Sequence, residues 1–285
     1  MTFVTRFAPS PTGPLHLGHA YSALIGFHIA QAAGGQFLLR IDDLDQTRAR
    51  PEWEAQLQDD LHWLGLDWPC PLRRQSQHLV NYGAALDRLS AMDLTYPCSC
   101  TRRDIAAAAS APQEGAPQTG PDGLIYPGTC RGRGMAEAGP DDAIRLNMVK
   151  ATRALPELTF TETGPNHKGV HKLSPETLIH EVGDVVLSRR QMGASYHLAV
   201  VIDDTAQEIT HVVRGEDLFE ATSLHVLLQH LLGLPTPIYH HHELIRDESG
   251  RRLAKRDDAR AIATYRADGM SPEDIRSILP PLSDI

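Results

Sequence analysis

Residues 6–19 read Arg6-Phe7-Ala8-Pro9-Ser10-Pro11-Thr12-Gly13-Pro14-Leu15-His16-Leu17-Gly18-His19. Residues 4–7 predict a short strand, the Pro/Gly-rich stretch a turn, and residues 17–33 a helix. That helix closes at Gly34-Gly35, where glycine tolerates a left-handed cap. Residues 36–41 predict the next strand. Strand, helix and strand in this order begin a parallel sheet, so the fold class is α/β. His16 and His19 stand at the start of the helix. Their rings should share a face, beside backbone N–H groups that favour anions. Gly18 between them lets a nucleotide approach the backbone closely.

A second segment, Arg251-Arg252-Leu253-Ala254-Lys255-Arg256, reads as a short basic loop near the other end of the chain. His16, His19 and Lys255 are expected to converge on one triphosphate. Chemistry on a phosphoryl group asks little covalent work of a protein; positioned donors that stabilise the spreading phosphoryl charge supply most of the effect. Magnesium is the expected companion of a triphosphate, although no carboxylate stands out as a dedicated ligand.

Between these segments, Pro51 opens a helix with Trp53, Leu57, Leu61 and Leu64 at helical spacing, and residues 77–94 predict a third. Residues 101–123 are rich in Ala, Pro and Gly and read as a mobile insertion. Residues 141–149 predict a strand, and 159–172 a loop-rich β excursion. Ser174-Pro175 starts a helix with serine as its cap. Residues 183–188 and 196–202 read as apolar strands of the main sheet. Residues 221–232 predict a helix with Leu224, Leu227, Leu228 and Leu231 on one face, and Ser271-Pro272-Glu273-Asp274 begins a last short one. The sheet is therefore expected to be interrupted by an insertion.

Composition sets outer bounds. The 285 residues fit one large domain or two small ones, and the 41% hydrophobic content supports a real core. No apolar run reaches the ~20 residues of a membrane span, and no basic-then-apolar leader is visible, so the cytoplasm is the expected location. The net charge of −9 argues against non-specific wrapping of nucleic acid. Any nucleic-acid contact would rest on local pairs such as Arg73-Arg74, Arg102-Arg103, Arg131 with Arg133, Arg189-Arg190 and Arg251-Arg252.

Cys98-Ser99-Cys100 and Cys130 could supply three thiolates to a tetrahedral zinc ion, which needs a fourth ligand; two strand thiols and an unrelated one is the alternative. Cys70 reads as a packing residue. His240-His241-His242 would alternate faces in an extended segment, so one shared ion is disfavoured and a strand end is expected.

The histidine segment and the basic loop together resemble the two signature motifs of class I aminoacyl-tRNA synthetases, and the wording of residues 6–19 is similar to the glutamyl/glutaminyl branch. The resemblance runs to about residue 260. It implies a Rossmann-type catalytic domain split between 1–95 and 180–240, an inserted zinc-bearing acceptor-type subdomain at 96–179, and a basic-loop and helical C-terminal region at 241–285. It also implies that ATP activates L-glutamate, with His16, Gly18, His19 and Lys255 at the nucleotide. Ala254 stands where the family pattern has serine.

Glutamate carries two carboxylates and one ammonium, so a selective pocket should offer a base for the side chain and an acid for the amine. By resemblance Arg6, Phe7, Ala8, Pro9, Ser10, Tyr196 and Arg214 line that pocket. Asp42 takes the place of the family's acid, one methylene shorter. Resemblance further implies Tyr126 as the unusual fourth zinc ligand beside Cys98, Cys100 and Cys130.

This branch ordinarily carries a large anticodon-binding part, and the chain stops soon after the basic loop. That pattern resembles the stand-alone paralogues whose acceptor is the queuosine in the anticodon of tRNA(Asp). A monomer is expected. The rival readings are a catalytic fragment of an ordinary glutamyl- or glutaminyl-tRNA synthetase and a silent tRNA- or zinc-binding paralogue.

Overall fold

The computed structural model describes residues 2–109, 119–189, 192–246 and 260–282. Strand β1 (Val4–Phe7), helix α1 (Leu17–Ala32) and strand β2 (Gln36–Ile41) form the expected parallel unit, in register from Val4↔Gln36 to Phe7↔Leu39. Gly34 takes φ +61°, and a side chain at Gly35 would strike the Phe3 carbonyl, so the tight return into β2 requires both glycines. Helix α1 is rich in small residues. Ala20, Ala23, Gly26 and Ala30 let it lie close against the sheet, with Gly26 facing Phe37 and Val213.

Helix α2 (Pro51–Trp63) and a short strand β3 (Arg73–Arg74), parallel to β2, complete the first half; helix α3 (Leu79–Ala91) follows. Strand β4 (Thr95–Cys98) leads to helix α4 (Arg102–Ala109) and to the hairpin of β5 (Thr119–Gly120) and β6 (Gly123–Leu124). Then come β7 (Ala143–Leu146), helix α5 (Met148–Ala151), the hairpin of β8 (Thr159–Glu162) and β9 (Gly169–Lys172), helix α6 (Pro175–Thr177) and β10 (Val186–Ser188). Helix α7 (Tyr196–Ala206), β11 (His211–Gly215), helix α8 (Thr222–Leu231) and β12 (Ile238–His242) rebuild the parallel layout, followed by the short helices α9 (Ile262–Ala267) and α10 (Pro272–Ser277).

The order β11-β12-β8-β9 stands beside β1-β2-β3. The halves meet where Thr210 N–H donates to Val4 O at 3.0 Å and Val4 N–H donates to Thr210 Oγ1 at 2.8 Å. Arg6 on β1 and Arg214 on β11 therefore stand on neighbouring strands. One core packs α1, β1 and β2 with α2 and, through Ile262, Ile275 and Leu279, with α9 and α10; the second gathers α3, α5, α7 and α8. Each large aliphatic side chain in such a core contributes about 2–5 kcal/mol relative to alanine.

Several sequence expectations are corrected. Residues 196–202 are helix, not strand. His197, Leu198, Ala199, Val200 and Val201 are all buried, and a segment buried on every side shows no periodicity to separate helix from strand. Ser195 caps it by accepting from Leu198 N–H. Only Val186–Ser188 of residues 183–188 is strand, and it belongs to the separate antiparallel sheet β10-β7-β4. The strand expected over 141–149 stops at Leu146, because Asn147 caps α5. The predicted mobile insertion begins with helix α4. Thr101 Oγ1 and Asp104 Oδ2 each accept the other's backbone N–H, so Thr-x-x-Asp was a legible start signal. Residues 110–118 of that stretch lie outside the described residues.

Candidate active site

Histidines head α1 in an unusual cap. His16 Nδ1 accepts from Gly18 N–H at 3.1 Å, and His19 Nδ1 accepts from His16 N–H at 3.3 Å. The ring centroids lie 3.8 Å apart. Since both Nδ1 atoms accept, each neutral ring carries its proton on Nε2. The sequence expectation of a shared face is met, and the backbone of the same turn adds its helix-start N–H groups. Lys255, Arg251 and Arg252 fall in residues 247–259, outside the described residues. Downstream of that segment, Ala261 pairs with His16 in an antiparallel bridge and Ile262 N–H donates to Leu15 O at 2.8 Å.

Behind this turn lies a buried charge cluster. Arg6 grips Asp204 with two hydrogen bonds, 2.9 Å from Nε and 3.2 Å from Nη2. Arg40, wholly buried, reaches Asp42 at 2.8 Å and Asp204 at 2.6 Å. Burial works against ionisation of Asp204, but the Arg6 and Arg40 guanidiniums beside it hold the carboxyl below the usual carboxylate range. Burial pushes the Asp42 carboxyl up to about 6, against the pull of Arg40. Asp42 N–H donates to Pro9 O at 3.0 Å, which ties the acid to the 6–19 turn. Phe7 turns its ring into the core, so only its backbone faces this region; Ala8 is half-buried and Ser10 exposed. Asp203, next in the chain, binds Tyr82, Gln75 and Arg73 and anchors α7 to α3.

Arg214 differs from Arg6 and Arg40. It is 5% exposed, and its partners are His241 Nε2 (2.9 Å), His225 Nδ1 (3.1 Å), Leu218 O (3.1 Å) and Thr222 Oγ1 (2.9 Å). None is a carboxylate among the described residues. Arg214 forms no salt bridge with its chain neighbours Glu216 and Asp217. Tyr196, at the start of α7, brings its ring 5.7 Å from that of His225 and lines a cavity of about 250 Å³ with Asp122, Ser195, His197 and Asp217. Arg214 and Tyr196 thus meet at His225.

Cys98, Cys100 and Cys130 place their sulfurs within 4.8 Å of one another. Tyr126 Oη lies 3.4 Å from Cys98 Sγ and 3.4 Å from Cys100 Sγ, and Cys100 Sγ lies 3.5 Å from Cys130 Sγ. Tetrahedral zinc with bonds of ~2.3 Å to sulfur needs ligand separations of about 3.8 Å or slightly less, so the cluster is compatible with zinc. Cys130 N–H donates to the Tyr126 oxygen at 2.9 Å, but burial and the three surrounding thiols hold the hydroxyl well above its usual range. Burial opposes ionisation of Cys130, yet hydrogen bonds from Tyr126 and the Ser99 backbone bring its thiol down to about 6.

Of the basic pairs considered for nucleic acid, Arg73, Arg74, Arg131 and Arg133 are engaged with Asp203, Glu54, Asp184 and Asp142. Sequence reasoning passed over Arg40, Asp204, His197, His225 and Glu162, and took His241 only as part of a strand end. The only sequence trace was Asp203-Asp204 closing an apolar run. The histidine triplet does form a strand end: His240 binds Thr163, and His241 binds Glu162 and Arg214.

Residues 2–281 match the family described as tRNA synthetases class I (E and Q), catalytic domain. The glutamyl-Q tRNA(Asp) synthetase of Rhodobacter capsulatus is 61% identical over 279 residues, covering 97% of this chain and 99% of that protein. The enzyme of that name from Nocardia farcinica is 42% identical, over 96% of this chain and 82% of its own length. Among solved structures, a glutamate tRNA ligase from Elizabethkingia meningosepticum in complex with its amino acid superposes with a TM-score of 0.74 at 27% identity. This chain is covered to 96% and spans 59% of that larger enzyme. Matched by the family over residues 2–281 and nearly end to end by the Rhodobacter relative, the chain belongs to the glutamyl branch of the class I tRNA synthetases, in the group of the glutamyl-Q tRNA(Asp) synthetases.

Proposed function

We propose that this chain activates L-glutamate with ATP to glutamyl-adenylate and passes the glutamyl group to the queuosine of tRNA(Asp). The observation that carries the amino-acid assignment is Arg214, a buried guanidinium with no carboxylate partner among the described residues. A buried cation is costly until an anion pairs with it. The side-chain carboxylate of glutamate supplies that anion; the amide of glutamine does not. Asp42 and the Pro9 turn then face the ammonium, and Tyr196 closes the wall beside His225.

In the activation step, an oxygen of the substrate's α-carboxylate attacks the α-phosphorus and pyrophosphate leaves. His16, His19 and the first N–H groups of α1 hold the phosphates, and Lys255 follows the departing charge. Magnesium enters with the nucleotide as part of the substrate and offsets phosphate charge. Cys98, Cys100, Cys130 and Tyr126 would hold a structural zinc ion that ties the end of β4 to the segment after β6. Residues 96–179 act in this reading as an insertion between the catalytic segments 1–95 and 180–240, with 241–285 carrying the basic loop, and the chain works as a monomer. Among the described residues no helix is long and apolar enough to cross a membrane.

The test is ATP–pyrophosphate exchange without tRNA, offered glutamate, glutamine and aspartate. Exchange with glutamate alone is expected, and Lys255→Ala should slow it about a hundredfold or more with thermal unfolding unchanged. No exchange with glutamate, with or without added tRNA, would overturn the reading. The acceptor is tested with tRNA(Asp) bearing or lacking queuosine; equal transfer to both would exclude it.

Acid titration offers a further check on the ammonium site. Asp42 must be ionised to attract the substrate's amine, and its carboxyl titrates near 6 in the folded protein. The KM for glutamate should therefore rise as the pH falls through about 6, with the KM for ATP steady. Asp42→Asn should raise the KM at neutral pH and flatten its pH dependence. A wild-type KM independent of pH between 5 and 7 would remove Asp42 from the pocket.

A further inference from the structure

Arg214 is held by two imidazole chains, each ending on a carboxylate. On one side its Nε donates to His241 Nε2 at 2.9 Å, and His241 Nδ1 reaches Glu162 Oε2 at 2.5 Å. On the other, Nη1 donates to His225 Nδ1 at 3.1 Å. His225 Nε2 lies 3.0 Å from His197 Nδ1, and His197 Nε2 lies 2.8 Å from Asp122 Oδ1. Arginine can only donate, so the facing nitrogen of each ring must accept and its proton must sit on the opposite nitrogen. The ionised carboxylates at the far ends can only accept. Every hydrogen bond in both chains thus has one permitted direction. Burial, then the nearby Arg214 and His197, keeps His225 neutral, and burial pushes His241 down to about 4.

The consequence is electrostatic. The guanidinium is oriented by neutral acceptors, and the carboxylates that end the two chains stand one ring away at Glu162 and two rings away at Asp122. A carboxylate in direct contact would fix Arg214 equally well, but would compete with an incoming one. Asp122 is also informative by its place. It lies in the turn between β5 and β6, far in sequence from α7 and α8, and is half exposed while both histidines are buried.

We propose that His225, His197 and Asp122 form a positioning chain that aligns Arg214 for the substrate's side-chain carboxylate, making the β5–β6 hairpin part of amino-acid selection. This rests on the reading that Arg214 receives that carboxylate. None of the three touches the reacting atoms; they act through Arg214. Asp122 fixes the His197 tautomer, His197 fixes that of His225, and His225 holds Nη1.

The test compares Asp122→Ala, Asp122→Asn and His225→Phe with the wild-type chain in glutamate-dependent pyrophosphate exchange. Asp122→Ala leaves His197 without its acceptor. It should raise the KM for glutamate about tenfold, the worth of one well-placed hydrogen bond to a charged network, with kcat and the KM for ATP within about twofold. Asp122→Asn keeps an accepting oxygen and should restore the KM to within about threefold. His225→Phe should give the larger KM effect and lower the preference for glutamate over glutamine. Equal KM values in all three variants, or a loss of kcat that tracks a lowered Tm with the KM unmoved, would reduce the chain to a structural contact. Arg214→Met in the same assay separates the two readings. If it leaves the KM for glutamate unchanged, the assignment of Arg214 fails. If it raises the KM while Asp122→Ala does not, only the positioning chain fails.

Discussion

Arg214→Met is expected to raise the KM for glutamate in pyrophosphate exchange by about a thousandfold, with little change in the KM for ATP. Truncating one member of a buried charge pair costs about 2–5 kcal/mol, a factor of roughly 30 to 5,000 in binding. The upper part of that range applies because the guanidinium has no carboxylate partner among the described residues and so meets the ligand's charge undiminished. Effects on folding should oppose one another. The change removes a buried cation, which an apolar isostere often matches or improves. It also strips the acceptors His241 and His225 of their donor, at about 1–3 kcal/mol for each group left unsatisfied. A small shift in Tm beside a large loss of glutamate affinity is the expected signature. Arg214→Lys should not rescue, because a single ammonium cannot reproduce the fork that meets His241, His225 and Thr222 together. A KM within threefold of wild type in Arg214→Met would sink the pocket.

The second large effect concerns metal. Elemental analysis should find about one zinc per chain, and Cys130→Ser should lower that content sharply. Binding free energies for structural zinc reach about 10–16 kcal/mol in small peptides, where the metal supplies most of the folding. Here the β4–β7–β10 sheet and the ion pair from Arg131 to Asp184 hold the neighbourhood independently. Loss of the metal should therefore loosen residues 99–135 and leave the parallel sheet folded. Limited proteolysis reads this directly. New cleavage within 99–135, with the main thermal transition retained, is the expected result for the chelated protein or Cys130→Ser. A metal-free chain with the wild-type cleavage pattern would exclude the zinc assignment.

Sequence reading went furthest where the physics is local. Glycines at 34 and 35, the histidines on either side of Gly18, proline at the start of α2 and serine before α6 and α10 each act within a few residues. Their elements appear where spacing and capping placed them. The pair Cys98 and Cys100 is local in the same sense, whereas Tyr126 and Cys130 reach it across 26 and 30 positions. The strand assigned to residues 196–202 failed for the converse reason. Val200, Val201 and Ile202 favour strands by composition, and full burial erased the alternation that would have distinguished the two.

The chain of amino acids alone determined the α/β start, the His16–His19 turn at the head of α1 and the close pair of Cys98 and Cys100, because each depends on neighbours in sequence. Only the tertiary structure decided which of three arginines lacks a carboxylate partner among the described residues. Arg6, Arg40 and Arg214 look alike along the chain. Folding brings Asp204 to Arg6 across 198 positions and to Arg40 across 164, and surrounds Arg214 with imidazoles instead. Charge pairing is set by proximity in space, and separations of that length leave no periodic trace in a sequence.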